Sequence, residues 1–275
     1  MILVSGSKRS GTSMWMQLLA AGGLPVIGER FPPSWEALVA DANPDGFYES
    51  QLSAGIYYRT NPHPLTGAYL FPEQTREHAV KVFAPGLLRS DVAFIDRVIV
   101  TIREWREHTA SVLRLRAQLP AAGVVDPSLL LPPVYEWWSD AFSLLRDVAT
   151  RRYPVHFVSY ARLVGDPARE IAAVFDWLGA GDPKAALAAV RQRPRPAAVD
   201  PSDLPSELGA AHLETFDTLY EHIHRGVPLS PAFVRRLNET DSVLRPRLLA
   251  HNARLKEAAV ERLLADSARA QADEA

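Results

Sequence analysis

The residues best suited to chemistry stand at the start of the chain, in Gly6-Ser7-Lys8-Arg9-Ser10-Gly11-Thr12-Ser13. The two glycines bracket a loop between an apolar run, Ile2-Leu3-Val4-Ser5, and a stretch that reads as helix from Thr12. Glycine permits positive φ or close backbone approach. Amides of such a loop and of the first helical turn converge on one point, where the helix dipole also favours negative charge, so the segment is a site for an anion. A nucleoside triphosphatase loop of this spacing continues Gly-Lys-Ser/Thr, with the lysine on the β and γ phosphates and the hydroxyl on magnesium. Here Thr12 follows Gly11, and the basic residues Lys8 and Arg9 lie inside the loop. That suits an anion ending short of a γ-phosphate. Arg9 brings fixed charge and several donors, and Ser10, Thr12 and Ser13 bring hydroxyls. An ordinary strand-turn-helix rich in small residues has the same local pattern, so context must decide between the two.

Two later segments supply context. Residues 97–102 (Arg-Val-Ile-Val-Thr-Ile) read as a buried strand with Arg103 at its carboxyl end, the end at which parallel sheets bind ligands, and Ser111 follows eight residues on. Residues 155–160 (Val-His-Phe-Val-Ser-Tyr) are followed by Leu163-Val164-Gly165-Asp166-Pro167 and then by Phe175-Asp176-Trp177-Leu178-Gly179. In this order the three segments resemble the sulfotransferases that use 3′-phosphoadenosine 5′-phosphosulfate. The first resembles their 5′-phosphosulfate loop and the second their 3′-phosphate arginine and serine. The third is similar to their strand, tyrosine, Asp-Pro and helix-ending Leu-Gly. The similarity covers residues 1–20 and 80–180.

The resemblance implies an in-line transfer of a sulfonyl group from that donor to a hydroxyl or amine acceptor, with no metal. It places Arg9 beside the bridging oxygen of the phosphosulfate. Lys8, Ser10, Gly11, Thr12 and Ser13 belong to the same donor-binding loop, Arg103 and Ser111 hold the 3′-phosphate, and Tyr160 lies near the adenine. For Ser111 a plain place on the helix surface is the competing reading. Positioning and electrostatic stabilisation should supply most of the acceleration, as in phosphoryl transfer.

The proton acceptor departs from the pattern. Soluble phenol and steroid sulfotransferases carry a Lys-Thr-His-like triplet whose histidine is the base; here the run is Lys81-Val82-Phe83. Residues 43–50 (Asn-Pro-Asp-Gly-Phe-Tyr-Glu-Ser) resemble a stretch of other branches in which an acidic residue is a candidate base, and Glu49 is the expected one. Glu49 could equally open a helix over residues 50–59, where its charge would suit the dipole. Lys81 either assists the leaving group or lines the strand edge. His63, His78 and His108 are weaker candidates for the base.

The elements that must hold these residues follow from periodicity. Strands at 2–6, 79–83, 97–102 and 154–159 alternate with helices at 12–22, 104–118, 133–151 and 167–178. This predicts a three-layer α/β fold of the P-loop type, a central parallel sheet flanked by helices, in a single domain over 1–265. Helices at 208–225 and 229–265, with a break or kink at Pro246, are free to pack on the domain, form a homodimer surface or cap the pocket. Residues 266–275 read as a flexible tail. Segments 23–78 and 119–138, rich in proline and aromatics including Trp137-Trp138, are expected to wall an acceptor pocket for an aromatic or hydrophobic small molecule. Arg193 and Arg195 lie in a Pro-punctuated run that either folds over the nucleotide or is a solvated linker.

Composition bounds the rest. The chain has 275 residues, 47% of them hydrophobic, with a net charge of -2, which gives no general pull toward nucleic acid or anionic membrane. It has no cysteine, and its eight histidines show no metal-ligand spacing. No apolar run reaches a membrane span and the first strand begins at Ile2, so a cytoplasmic location is expected. Two other readings share the loop. A small-molecule kinase should have lysine in place of Thr12, and a non-catalytic member of the sulfotransferase fold would bind nucleotide without turnover.

Overall fold

The computed structural model describes residues 1–30, 46, 48–118, 130–191, 199, 204–205 and 208–273. Strands β1 (Ile2–Gly6), β2 (Val26–Ile27), β5 (Ala79–Lys81), β6 (Arg97–Ile102) and β7 (Val155–Ser159) form one parallel sheet in the order β2-β5-β1-β6-β7. A two-residue ribbon, β3 (Glu29–Arg30) with β4 (Tyr48–Glu49), stands apart from it. Every residue of β1 is buried, as its position in the middle of the sheet requires. A strand covered on both faces needs continuous apolar character rather than alternation, which is what Ile2-Leu3-Val4 provides.

Helices cover both faces. On one, α1 (Thr12–Ala21) and α7 (Pro167–Leu178) bury Trp15, Leu19, Ile171 and Phe175 against Ile2, Val4, Ile99 and Val158. On the other, α3 (Ala84–Arg89), α4 (Trp105–Gln118), α5 (Pro133–Arg151) and α9 (Ala210–Arg225) enclose Leu3, Val80, Val98 and Val100 with Trp105, Trp138 and Phe216. The fold is therefore the expected three-layer α/β arrangement. Its consequence for chemistry is that Gly6, Lys81, Ile102 and Ser159 all end strands at the same edge, so the residues after them gather there. Among the described residues no helix is long and apolar enough to cross a membrane.

Several elements differ from expectation. The second expected strand stops at Lys81 rather than residue 83, because Pro85 lies in the first turn of α3 and Phe83 caps it in extended conformation. No full helix covers 50–59. Ser50 caps a single 3-10 turn, Gln51–Ala54, and Gly55 at φ 108 ends it. The last helix, α10 (Pro231–Asp273), takes Pro246 inside it and runs past residue 265 into the stretch expected to be a tail.

Trp137 and Trp138 are corrected from pocket wall to core. Both are buried, their ring centroids lying 5.6 Å and 4.9 Å from Phe216, and Trp138 also stacks on Phe142 at 5.3 Å. An adjacent Trp-Trp pair reads as a wall only if one ring must face out, and here α9 covers both. Trp138→Ala is expected to cost about 3–5 kcal/mol in denaturant unfolding, as large-to-small changes at filled aromatic sites do.

Candidate functional site

The loop after β1 is held by contacts of its own and of β6, the Ser10 amide donating to the Ser7 carbonyl at 3.2 Å. The Ser10 hydroxyl donates to the Ser7 carbonyl at 2.7 Å and meets Thr101 Oγ1 at 2.7 Å, so the loop is pinned to the end of β6. Gly6 sits so close to β6 that a Cβ there would lie 2.4 Å from the Thr101 carbonyl oxygen. Arg9 has φ 68, a left-handed conformation that costs an arginine energy and is found mainly where the surroundings enforce it. Gly11, at φ 106, caps α1 with no side-chain hydrogen bond, and the amides of the first helical turn have no intrahelical acceptor. The open amides of the first turn of α1, its dipole and the Arg9 charge favour negative charge at this end of the loop.

The residues singled out beyond the loop come to it. Arg9 Nε donates to Ser111 Oγ at 3.2 Å, joining β1's loop to α4 across 102 residues of sequence. Arg103 donates to the Arg9 carbonyl at 3.3 Å and to Glu107 at 3.3 Å. Its guanidinium lies 4.4 Å from the centroid of the Tyr160 ring. That ring in turn lies against Gly11, where an added Cβ would come within 2.9 Å of it. The Trp137 indole donates to the Arg103 carbonyl at 2.8 Å and fixes the strand end. Arg103 and Ser111 are each only 6% exposed, so Ser111 is not a surface serine of α4.

A second group lies at the other side of the loop. Lys81 Nζ contacts Glu49 Oε1 at 2.5 Å and Ser13 Oγ at 3.2 Å. The Ser13 hydroxyl also accepts the Tyr48 amide at 3.3 Å, so the β4 segment is tied to α1. Burial pulls the Lys81 ammonium below its usual range, and Glu49 pushes it back up. Glu49 is thus the charge partner of a buried lysine that reaches the start of α1. Lys81 and Lys8 both lie over the Phe83 ring, at 4.8 Å and 5.8 Å from its centroid, a cation-π arrangement that places phenylalanine between two ammonium groups.

The remaining candidates fall elsewhere. Arg193 and Arg195 lie outside the described residues, as do Asn43, Asp45 and Phe47. His63 is engaged with the amides of Leu65 and Thr66. His78 precedes β5, and its carbonyl receives the Ile2 amide at the amino end of the sheet, opposite the loop. His108 does reach the site. It lines a cavity of about 400 Å³ together with Lys8, Phe83, Leu131, Glu136 and Asp140. The two carboxylates were missed in the sequence because acidic residues four apart on an amphipathic helix are ordinary solvent-face chemistry, and only the tertiary fold turns them inward. Of the segments expected to wall an acceptor pocket, 23–78 contributes Ser53 and Ala54 to this cavity, and 119–138 contributes Leu131 and Glu136. Tyr58, Tyr69 and Phe71 are largely exposed instead.

The chain is similar to the sulfotransferase domain of the olefin synthase of Synechococcus PCC 7002, at 16% identity and TM-score 0.38, over 89% of this chain and 94% of that one. It is also similar to the sulfotransferase domain of the curacin biosynthetic pathway, at 14% identity and TM-score 0.36, over 89% of this chain and 96% of that one. No family model matches the sequence, and no curated protein matches it.

The structure brings the loop with Arg9 together with Arg103 and Ser111, beside an aromatic ring. Tyr160 lies between the loop glycine and Arg103, and a cavity opens on the Lys8 side of the loop.

Proposed function

We propose that the protein transfers a sulfonyl group from 3′-phosphoadenosine 5′-phosphosulfate to a hydroxyl-bearing acceptor. The observation that carries this reading is the joining of Arg9 to Ser111 and of Arg103 to the Arg9 carbonyl. A donor anionic at two places on one nucleoside needs two cation-and-hydroxyl sites at a fixed separation, and these bonds set one site against the other. The loop amides, Ser10, Thr12 and Ser13 hold the 5′ end, Arg103 and Ser111 hold the 3′-phosphate, and the base lies near Tyr160. Binding aligns the acceptor oxygen, the sulfur and the bridging oxygen, so the entropic part of the barrier is met before reaction. Charge then builds on the bridging oxygen as the S–O bond breaks. Arg9 neutralises it, with Lys81 assisting from the side of Ser13 and Glu49 holding Lys81 in place. The kinase reading requires a lysine after Gly11 to reach a γ-phosphate, and Thr12 stands there.

Donor labelled with sulfur-35 tests the proposal when supplied with hydroxyl acceptors. The expected result is a labelled sulfate ester formed in step with adenosine 3′,5′-bisphosphate. Nucleotide binding with no label transferred would leave a binding protein and refute the enzymatic reading.

A further inference from the structure

Helix α5 presents two carboxylates one turn apart, Glu136 and Asp140, to the cavity beside Lys8. Their partners differ. Glu136 is ion-paired with Arg116 at 3.3 Å, and Glu49, on the far side of the loop, is ion-paired with Lys81. Asp140 lines the same cavity and has no ion pair with another described residue. His108, fully buried, also lines the cavity; the Lys8 backbone lies against its ring, and no side chain among the described residues bonds either ring nitrogen. A ring with two nitrogens and at most one backbone partner has a place for a polar group of a ligand, because a buried donor or acceptor left unmade is costly.

We propose that Asp140 is the general base of the transfer and that the cavity takes an uncharged acceptor bearing a hydroxyl, which His108 hydrogen-bonds. This rests on the sulfonyl-transfer reading above. Glu49 and Glu136 are ion-paired with Lys81 and Arg116, whereas Asp140 lines the cavity with no ion pair to another described residue. A permanently anionic acceptor would meet Glu136 and Asp140, a permanently cationic one would meet Lys8 and Arg89, and Phe83, Pro85 and Leu131 favour an apolar body. In the step, the acceptor oxygen forms a bond to sulfur and its proton passes to Asp140. The S–O bond to the 5′-phosphate breaks with its electron pair going to the bridging oxygen. The products are the sulfate ester and adenosine 3′,5′-bisphosphate, and Asp140 returns the proton to solvent.

The electrostatics agree. Burial lifts the Asp140 carboxyl to about 7, with the Glu136 charge adding to the rise and Lys8 and Ser7 opposing it. Burial holds His108 down to about 3, so its ring is neutral at pH 7 and can donate one bond and accept another. The other charged group lining the cavity is Arg89 from α3, and Arg116 from α4 neutralises Glu136. A base that titrates near the working pH is half available and still strong enough to take a proton.

The test compares wild-type protein with Asp140→Asn and Glu49→Gln, using labelled donor and 2-naphthol, 1-octanol and glucose as acceptor probes over a range of pH. Wild-type kcat/KM should rise with pH to a plateau above about 7. Asp140→Asn should lower kcat by roughly 10²–10⁴-fold, the usual worth of a general base, and abolish the acid limb while binding adenosine 3′,5′-bisphosphate as tightly as before. Glu49→Gln should keep the limb. If Asp140→Asn retains both rate and limb, or if Glu49→Gln alone loses the limb, Asp140 is not the base although the transfer reading stands. If wild-type protein transfers label to none of the probes, both readings fall. Should Asp140→Asn not fold, infrared titration of the wild-type protein decides: a protonated carboxyl band lost near pH 7 is expected, and its absence overturns the proposal.

Discussion

Arg9→Ala is expected to lower sulfonyl transfer by roughly 10²–10³-fold, the effect of removing one donor aimed at developing charge in a water-poor site. In the ground state the bridging oxygen carries little charge, and in the transition state it becomes the terminal oxygen of a leaving phosphate. An interaction that strengthens between those two states raises kcat, and the loss should therefore appear in kcat more than in KM. Arg9 also anchors Ser111 through its Nε, so part of the loss will be a loosened 3′ site. Arg9→Lys separates the contributions. Lysine restores a charge near the bridging oxygen but offers no planar fork to reach Ser111 at the same time, so it should recover rate more fully than affinity. Equal loss of kcat in the alanine and lysine variants would contradict the charge argument.

Arg103→Ala should weaken binding of adenosine 3′,5′-bisphosphate on the order of 10²-fold, about 2.7 kcal/mol, as expected when a mostly buried charged partner is removed from an anion. Binding of AMP, which has no 3′-phosphate, should change far less, and isothermal titration of the two nucleotides in wild-type and variant measures the difference directly. Both nucleotides share the adenine, so any general collapse of the Tyr160 ring, which Arg103 covers at 4.4 Å, would weaken both equally. A selective effect on the 3′-phosphorylated nucleotide assigns the contact, and an equal effect would move the 3′-phosphate elsewhere.

Much of the frame was legible because it is local. Ile2-Leu3-Val4 and Val98-Ile99-Val100 announce buried parallel strands without alternation, and Gly179, a left-handed C-cap, marks where α7 ends. The places of the loop and of Arg103 after β1 and β6 were readable because a strand end followed by glycine or a cation is itself the signal for that placement. The failures are tertiary. Trp137-Trp138 looks like a pocket wall until α9 brings Phe216 over it. The partner of Glu49 had no sign in its own neighbours, because it is β5 that delivers Lys81 to it. Asp140 had no sequence signal at all. Its helix periodicity gives a partly exposed position, as it is in the structure, and only the packing of α5 beside the loop brings it to the cavity. Residues whose chemistry depends on what another element removes from water cannot be read from their own neighbours in sequence.

The central claim is that the loop and Arg103 together hold a nucleotide phosphorylated at both 3′ and 5′ positions. A thermal-shift comparison of adenosine 3′,5′-bisphosphate, ADP, and ATP with magnesium tests it most directly, since a ligand bound only by the native state stabilises it by about 2.7 kcal/mol at a hundredfold excess over Kd. For a chain of this size that is a rise in Tm on the order of 5 °C. We expect that rise with adenosine 3′,5′-bisphosphate and little with either other nucleotide; stabilisation by ATP with magnesium alone would contradict the account.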